Sequence, residues 1–117
     1  PMSTTESVLD HHLEAFGSQD LAETMADYSE NAVLVTHGET FRGHEEISGL
    51  FEDLFAEFSQ DPVEFSLEEK RIASEYAYIV WNADTPENTY EFATDTFVIR
   101  DGEIVAQTLG TVVTPKD

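Results

Sequence analysis

Cysteine is absent from the 117 residues, which excludes a disulfide framework, a thiolate metal site and a thiol nucleophile. Basic residues are nearly absent too: five Lys and Arg stand against 25 Asp and Glu, a formal net charge of −20. That balance argues against nucleic acid and an anionic membrane surface as partners, since both require a basic footprint. No apolar run approaches the roughly 20 residues of a membrane span. The start, Pro1-Met2-Ser3-Thr4-Thr5, has neither a charged n-region nor an apolar h-region, and Pro1 before Met2 reads as an expression scar. A cytoplasmic protein of one domain, residues 2–117, is expected.

High charge with low hydrophobicity would leave the chain disordered, but 40% of its residues are hydrophobic, including eight Phe, four Tyr and one Trp in periodic runs. It is expected to fold. Two lysines against sixteen glutamates and nine aspartates suit a salt-rich cytoplasm, where self-repulsion is screened. A halophilic origin is expected.

Ser3-Thr4-Thr5-Glu6 has the form of a capping box, and Val8, Leu9, His12, Leu13 and Phe16 repeat behind it at helical spacing up to Gly17. Ser18 opens a second predicted helix carrying Leu21, Met25 and Tyr28. Ala32 to His37 reads as a strand. The longest periodic stripe is Ile47, Leu50, Phe51, Leu54, Phe55 and Phe58, one face of an amphipathic helix closed by Asp61-Pro62. Period-two segments follow at Val63–Leu67, 75–83, 89–100 and 104–114, with Asp101-Gly102 as a hairpin signal. The predicted order is helix, helix, strand, helix and four antiparallel strands, an α+β class.

Tyr76, Tyr78 and Val80 alternate with Ala77, Ile79 and Trp81, while Tyr90, Phe92 and Val98 oppose Ala93, Phe97 and Ile99. Both sheet faces are therefore apolar, and three short helices can cover only one. A homodimer through the outer face is expected.

The stretch from Leu21 to Val35, Phe41-Arg42-Gly43-His44-Glu45-Glu46-Ile47, and Asp95-Thr96-Phe97-Val98-Ile99-Arg100-Asp101-Gly102 resemble the nuclear transport factor 2-like superfamily, in its SnoaL-like and ketosteroid isomerase-like branches. The resemblance runs from about Val8 to Val113. It implies a cone-shaped α+β barrel: three N-terminal helices on a curved, mostly antiparallel sheet (a cystatin-like roll) enclosing an apolar pocket. It also places Asp95 at the pocket acid that donates to an oxyanion in the isomerases and acts as acid/base in the cyclases. His12 matches the isomerases' oxyanion-hole tyrosine, and Thr36 their proton-moving aspartate. Threonine cannot shuttle a proton at neutral pH, so the steroid-isomerase mechanism is not expected. A single-acid, cyclase-like arrangement and a pocket that only binds both stay open, and an epoxide-hydrolase-like water network has only Asp95 to build on.

Asp95 shares an inward parity with Ala93, Phe97 and Ile99, where a carboxylate should have a raised pKa. Asp95 and His12 are expected to face each other as a coupled acid/base pair, with His12 raised. Phe16, Tyr28, Thr36, Phe51, Phe55, Trp81 and Phe97 are the candidate lining for a small hydrophobic, carbonyl-bearing ligand. Glu91 shares the parity of Asp95, either at the pocket rim or on the acidic surface, and His11 is expected in solvent. His37, Glu39, His44 and Glu45 fit no zinc spacing, so no metal is expected. Without a Gly-rich phosphate loop, a Ser-His-Asp order or a glycosidase acid pair, no cofactor is expected either.

Overall fold

A computed structural model describes residues 4–117. Its elements run α1 (Thr5–Gly17), α2 (Leu21–Ala26), β1 (Tyr28–Thr36), β2 (Thr40–Arg42), α3 (Gly43–Phe58), β3 (Glu64–Ala73), β4 (Tyr76–Asp84), β5 (Asn88–Arg100) and β6 (Glu103–Pro115). Ser3 lies outside the described residues, and the capping box that starts α1 is built from Thr4 and Ser7. Thr4 Oγ1 accepts from the Ser7 amide at 3.0 Å and Ser7 Oγ from the Thr4 amide at 2.9 Å. Ser18 caps the end of α1, and Asp20 starts α2 by accepting from the Glu23 amide. The predicted second helix runs too far: Tyr28 is the first residue of β1, because the Asp27 cap ends the helix after Ala26.

The strands form one six-stranded sheet in the order β2-β1-β6-β5-β4-β3. All neighbours are antiparallel except β1 and β6, so the sheet is mixed. The third helix is not N-terminal; it follows the short β1–β2 hairpin. Asp101 (φ 51°) and Gly102 (φ 77°) make the β5–β6 turn with both central residues at positive φ, the geometry for which Asp-Gly is favoured. Register shifts at Tyr28/Val33, Leu67/Glu69, Trp81/Ala83 and Tyr90/Phe92 mark bulges that bend the sheet around the helices.

The helices pack on the concave face. Leu9 from α1, Ile47 and Phe51 from α3, and Ala77, Ile79, Ala93, Phe97 and Ile104 from the sheet form one buried cluster. Truncating a fully buried side chain such as Ile47 to Ala removes contacts on all sides, at about 2–5 kcal/mol. The alternation read from β4 holds, with Ala77, Ile79 and Trp81 inside and Tyr76 and Tyr78 outside. In β5 the bulge between Tyr90 and Phe92 breaks the expected parity. Tyr90 turns inward against Phe58 and Trp81, while Phe92 and Val98 stay on the outer face. Nothing among the described residues covers Tyr76, Tyr78, Phe92 and Val112. Among the described residues no helix is long and apolar enough to cross a membrane.

Candidate functional site

Asp95 stands at the middle of β5, paired across the sheet with Ile79 and Leu109, and its side chain points into the cone. It is 6% exposed. Two N–H donors hold it: Trp81 Nε1–H on Oδ1 at 2.7 Å and Gln107 Nε2–H on Oδ2 at 2.8 Å. The Tyr28 hydroxyl donates to Gln107 Oε1 and so fixes which way that amide faces. No ion pair reaches Asp95 among the described residues. Burial pushes its pKa up to about 6, against the opposing pull of the bonds from Trp81 and Gln107. Each carboxylate oxygen has two lone-pair directions, so the donors leave one on each for a proton or a ligand.

His12 reaches the same space from α1. It is 4% exposed, with its ring edge-on to Tyr28, Phe51 and Phe97 at centroid distances of 5.5, 5.8 and 5.3 Å. Burial, with the charge of His11 as the lesser cause, lowers its pKa to about 4. This reverses the expectation of a raised His12. No hydrogen bond or ion pair joins it to Asp95, because the carboxylate is held by Trp81 and Gln107 and both groups sit where charge is costly. The acid that neighbours His12 is Asp27, with Oδ2 4.0 Å from Nδ1, and that nitrogen has no hydrogen-bond partner. His11 is not simply solvated. Its Nδ1–H donates to both Asp27 oxygens at 2.8 Å and its Nε2–H to Glu23 at 2.9 Å, which raises its pKa.

Between these groups lies a cavity of about 70 Å³. His12, Phe16, Phe51, Trp81, Asp95 and Phe97 of the predicted residues line it, and three do not. Tyr28 lies behind Gln107, and Phe55 packs in the helix core against Phe16 and Phe51. Thr36 is spent on its own turn: Oγ1 accepts from the Gly38 and Glu39 amides and donates to the Glu39 carbonyl. Glu91 is exposed and accepts from Thr114, because the β5 bulge turns it out of the row that contains Asp95. His44 donates from Nε2 to the Tyr28 carbonyl at 2.7 Å, a structural bond that ties α3 to β1.

Of the lining residues outside the sequence reading, Gln107 and Tyr90 bear most on the site. Gln107 is a lone amide in an apolar strand, a signal that could have marked it as an inward polar partner. Tyr90 was hidden by the bulge. Behind Tyr90, Glu57 of α3 is a buried carboxylate held by neutral donors: Tyr90 Oη–H at 2.7 Å, Thr85 Oγ1–H at 2.7 Å and Asn88 Nδ2–H at 2.9 Å.

The cone of helices on a curved sheet, with one buried acid on its central strand, defines a class before it defines a chemistry. The sequence profile of the SnoaL-like domain matches residues 9–107, and the chain belongs to the SnoaL-like family of nuclear transport factor 2-like folds. A nuclear transport factor 2-like protein from Burkholderia thailandensis is 20% identical with a TM-score of 0.80, covering 95% of this chain and 92% of that one. A Kribbella flavida protein provisionally assigned as a ketosteroid isomerase is 10% identical (TM-score 0.79, 99% and 84% covered). A Sinorhizobium meliloti protein provisionally assigned as a polyketide cyclase is 15% identical (TM-score 0.73, 87% and 92% covered). At such identities the likeness is one of fold. No curated protein matches the sequence significantly.

Proposed function

We propose that the cavity takes a small, flat, hydrophobic molecule bearing a carbonyl, and that Asp95 moves a proton on it without a cofactor, as in isomerisation or aldol-type cyclisation. The carrying observation is the buried Asp95 carboxyl, with no cation near it among the described residues and its pKa pushed up to about 6. Such a group exchanges protons close to neutral pH, where general acid–base catalysis is most efficient. His12, a neutral imidazole on the same cavity, is the second polar group toward a carbonyl oxygen. Phe16, Phe51 and Trp81 supply apolar walls. The cavity is smaller than the roughly 150 Å³ that admits benzene in an engineered core, so a ring-sized ligand must displace side chains as it enters. That same tightness favours a second reading, a ligand-binding module in which Asp95 is structural.

Deuterium exchange at the carbon next to the carbonyl separates the two. With small cyclic ketones in D2O, the protein should accelerate exchange, and Asp95→Asn should lose about 10²–10⁴-fold of that rate. Binding without exchange, unchanged in the variant, would leave the binding module.

Two wider features belong to the same reading. The outer face bearing Tyr76, Tyr78, Phe92 and Val112 pairs with a second copy of the chain. The acidic surface is an adaptation to a salt-rich cytoplasm.

A further inference from the structure

Behind His12 lies an arrangement that proton transfer at Asp95 does not use. Asp27, at the end of α2, is 9% exposed and faces two histidines from α1. His11 Nδ1–H lies 2.8 Å from both of its oxygens, while His12 Nδ1 stops 4.0 Å from Oδ2 with no partner of its own. A buried ring nitrogen left without a partner, beside a carboxylate that could accept from it, requires an explanation. His11 provides one, because its outer nitrogen is anchored on Glu23 at 2.9 Å and its inner one claims the whole carboxylate.

We propose that Asp27 is a positioning residue for His12 and that protonated His11 withholds it. The inference rests on the reading of His12 as a group that addresses a ligand in the cavity. While His11 carries both protons, the ion pair keeps Asp27 on its own side. Once His11 is neutral its hold is a single uncharged bond, and one carboxylate oxygen is released to accept from His12 Nδ1–H. That bond fixes the imidazole tautomer, with Nδ1 protonated and Nε2 bare, and stabilises any proton later accepted at Nε2. The remaining groups around the His12 ring are the uncharged hydroxyl-bearing Tyr28 from β1, Phe51 from α3, Phe97 from β5, and Asp95, which lines the same cavity. None of them competes for Nδ1. The pKa of His11 is raised by Asp27 and Glu23, so the release falls above the ordinary histidine value of 6.5.

The test is imidazole ¹⁵N NMR on the whole chain, from pH 5 to 9, for the parent, His11→Gln and Asp27→Asn. In the parent, the His12 shifts should move toward the Nδ1–H tautomer with a midpoint that coincides with the titration of His11. His11→Gln, at a half-exposed site, should show that tautomer at every pH where His12 is neutral, and bind a proton at His12 at least tenfold more tightly. Asp27→Asn should abolish the response, and Asp27→Glu should restore part of it. His12 shifts that ignore the His11 titration and stay unchanged in His11→Gln would overturn the proposal. If Asp27→Asn does not fold, the parent and His11→Gln still decide. The readout needs no substrate: a tautomer response without deuterium exchange would overturn the catalytic reading and leave the positioning intact.

Discussion

Replacing Asp95 with Asn should alter the pH dependence of stability more than the size of the change suggests. Unfolded, the aspartate titrates near 3.8 and the histidine near 6.5; in the folded cavity Asp95 moves up to about 6 and His12 down to about 4. At pH 5 the unfolded chain therefore carries an imidazolium and a carboxylate, while the folded cavity holds both groups neutral. Because Asp95 is raised, the native state binds the extra proton, so its contribution weakens stability as pH rises from about 4 to about 6. The cost is fully present above that range, and at 1.36 kcal/mol per pKa unit it comes to about 3 kcal/mol. His12 is depressed, so its contribution is whole above 6.5 and lost as pH falls toward about 4, again by about 3 kcal/mol.

Through the shared window the two slopes oppose and nearly cancel, and removing Asp95 uncovers the slope of His12. Urea unfolding followed by Trp81 fluorescence measures this. The unfolding free energy of Asp95→Asn minus that of the parent should rise by about 3 kcal/mol between pH 4 and pH 7. Asn brings its own cost, since its amide meets two donors unless Gln107 turns over and the Tyr28 hydroxyl becomes an acceptor. That cost is the same at every pH and leaves the slope alone. A difference constant within about 0.5 kcal/mol across the range would refute the neutral pair.

Phe92, 51% exposed on the outer face, should sit at the core of a dimer, and Phe92→Glu should weaken association by about 2–4 kcal/mol, read by light scattering at micromolar protein. A parent that is monomeric at that concentration sinks the interface. With a net charge of −20, the melting temperature should climb steeply with KCl up to molar levels, where the Debye length is about 3 Å; equal melting temperatures in dilute and molar KCl would remove the salt adaptation.

Much of this architecture could be read from periodicity. The stripe from Ile47 to Phe58 and the alternation in β4 are strong because one face of each is buried, and Asp101-Gly102 is strong because few pairs tolerate two positive φ values. Inward parity, together with the family resemblance, placed Asp95 in the cone. Apart from Gln107, what escaped has no local signal. The parallel pairing of β1 with β6 joins segments some seventy residues apart (Leu34 to Gln107, for example). A one-residue bulge at Glu91 exchanged the faces of Tyr90 and Glu91, and alternation cannot foresee it. His12 was found, but its neighbouring acid was misassigned, since Asp27 belongs to a helix cap whose side-chain direction only the packing of α1 on α2 decides.

The carboxylate of Glu57 gathers the end of α3, the β4–β5 turn and the wall residue Tyr90 with three neutral donors. A tie of that kind behaves differently from the ion pairs on the surface, such as Lys70 with Asp10 or Arg100 with Glu75. Dissolved salt loosens exposed charge pairs, but it has little access to a desolvated carboxylate held by dipoles. The wall behind the cavity therefore holds its shape over a span of ionic strength that loosens the surface pairs, and the cavity is insulated from that variable.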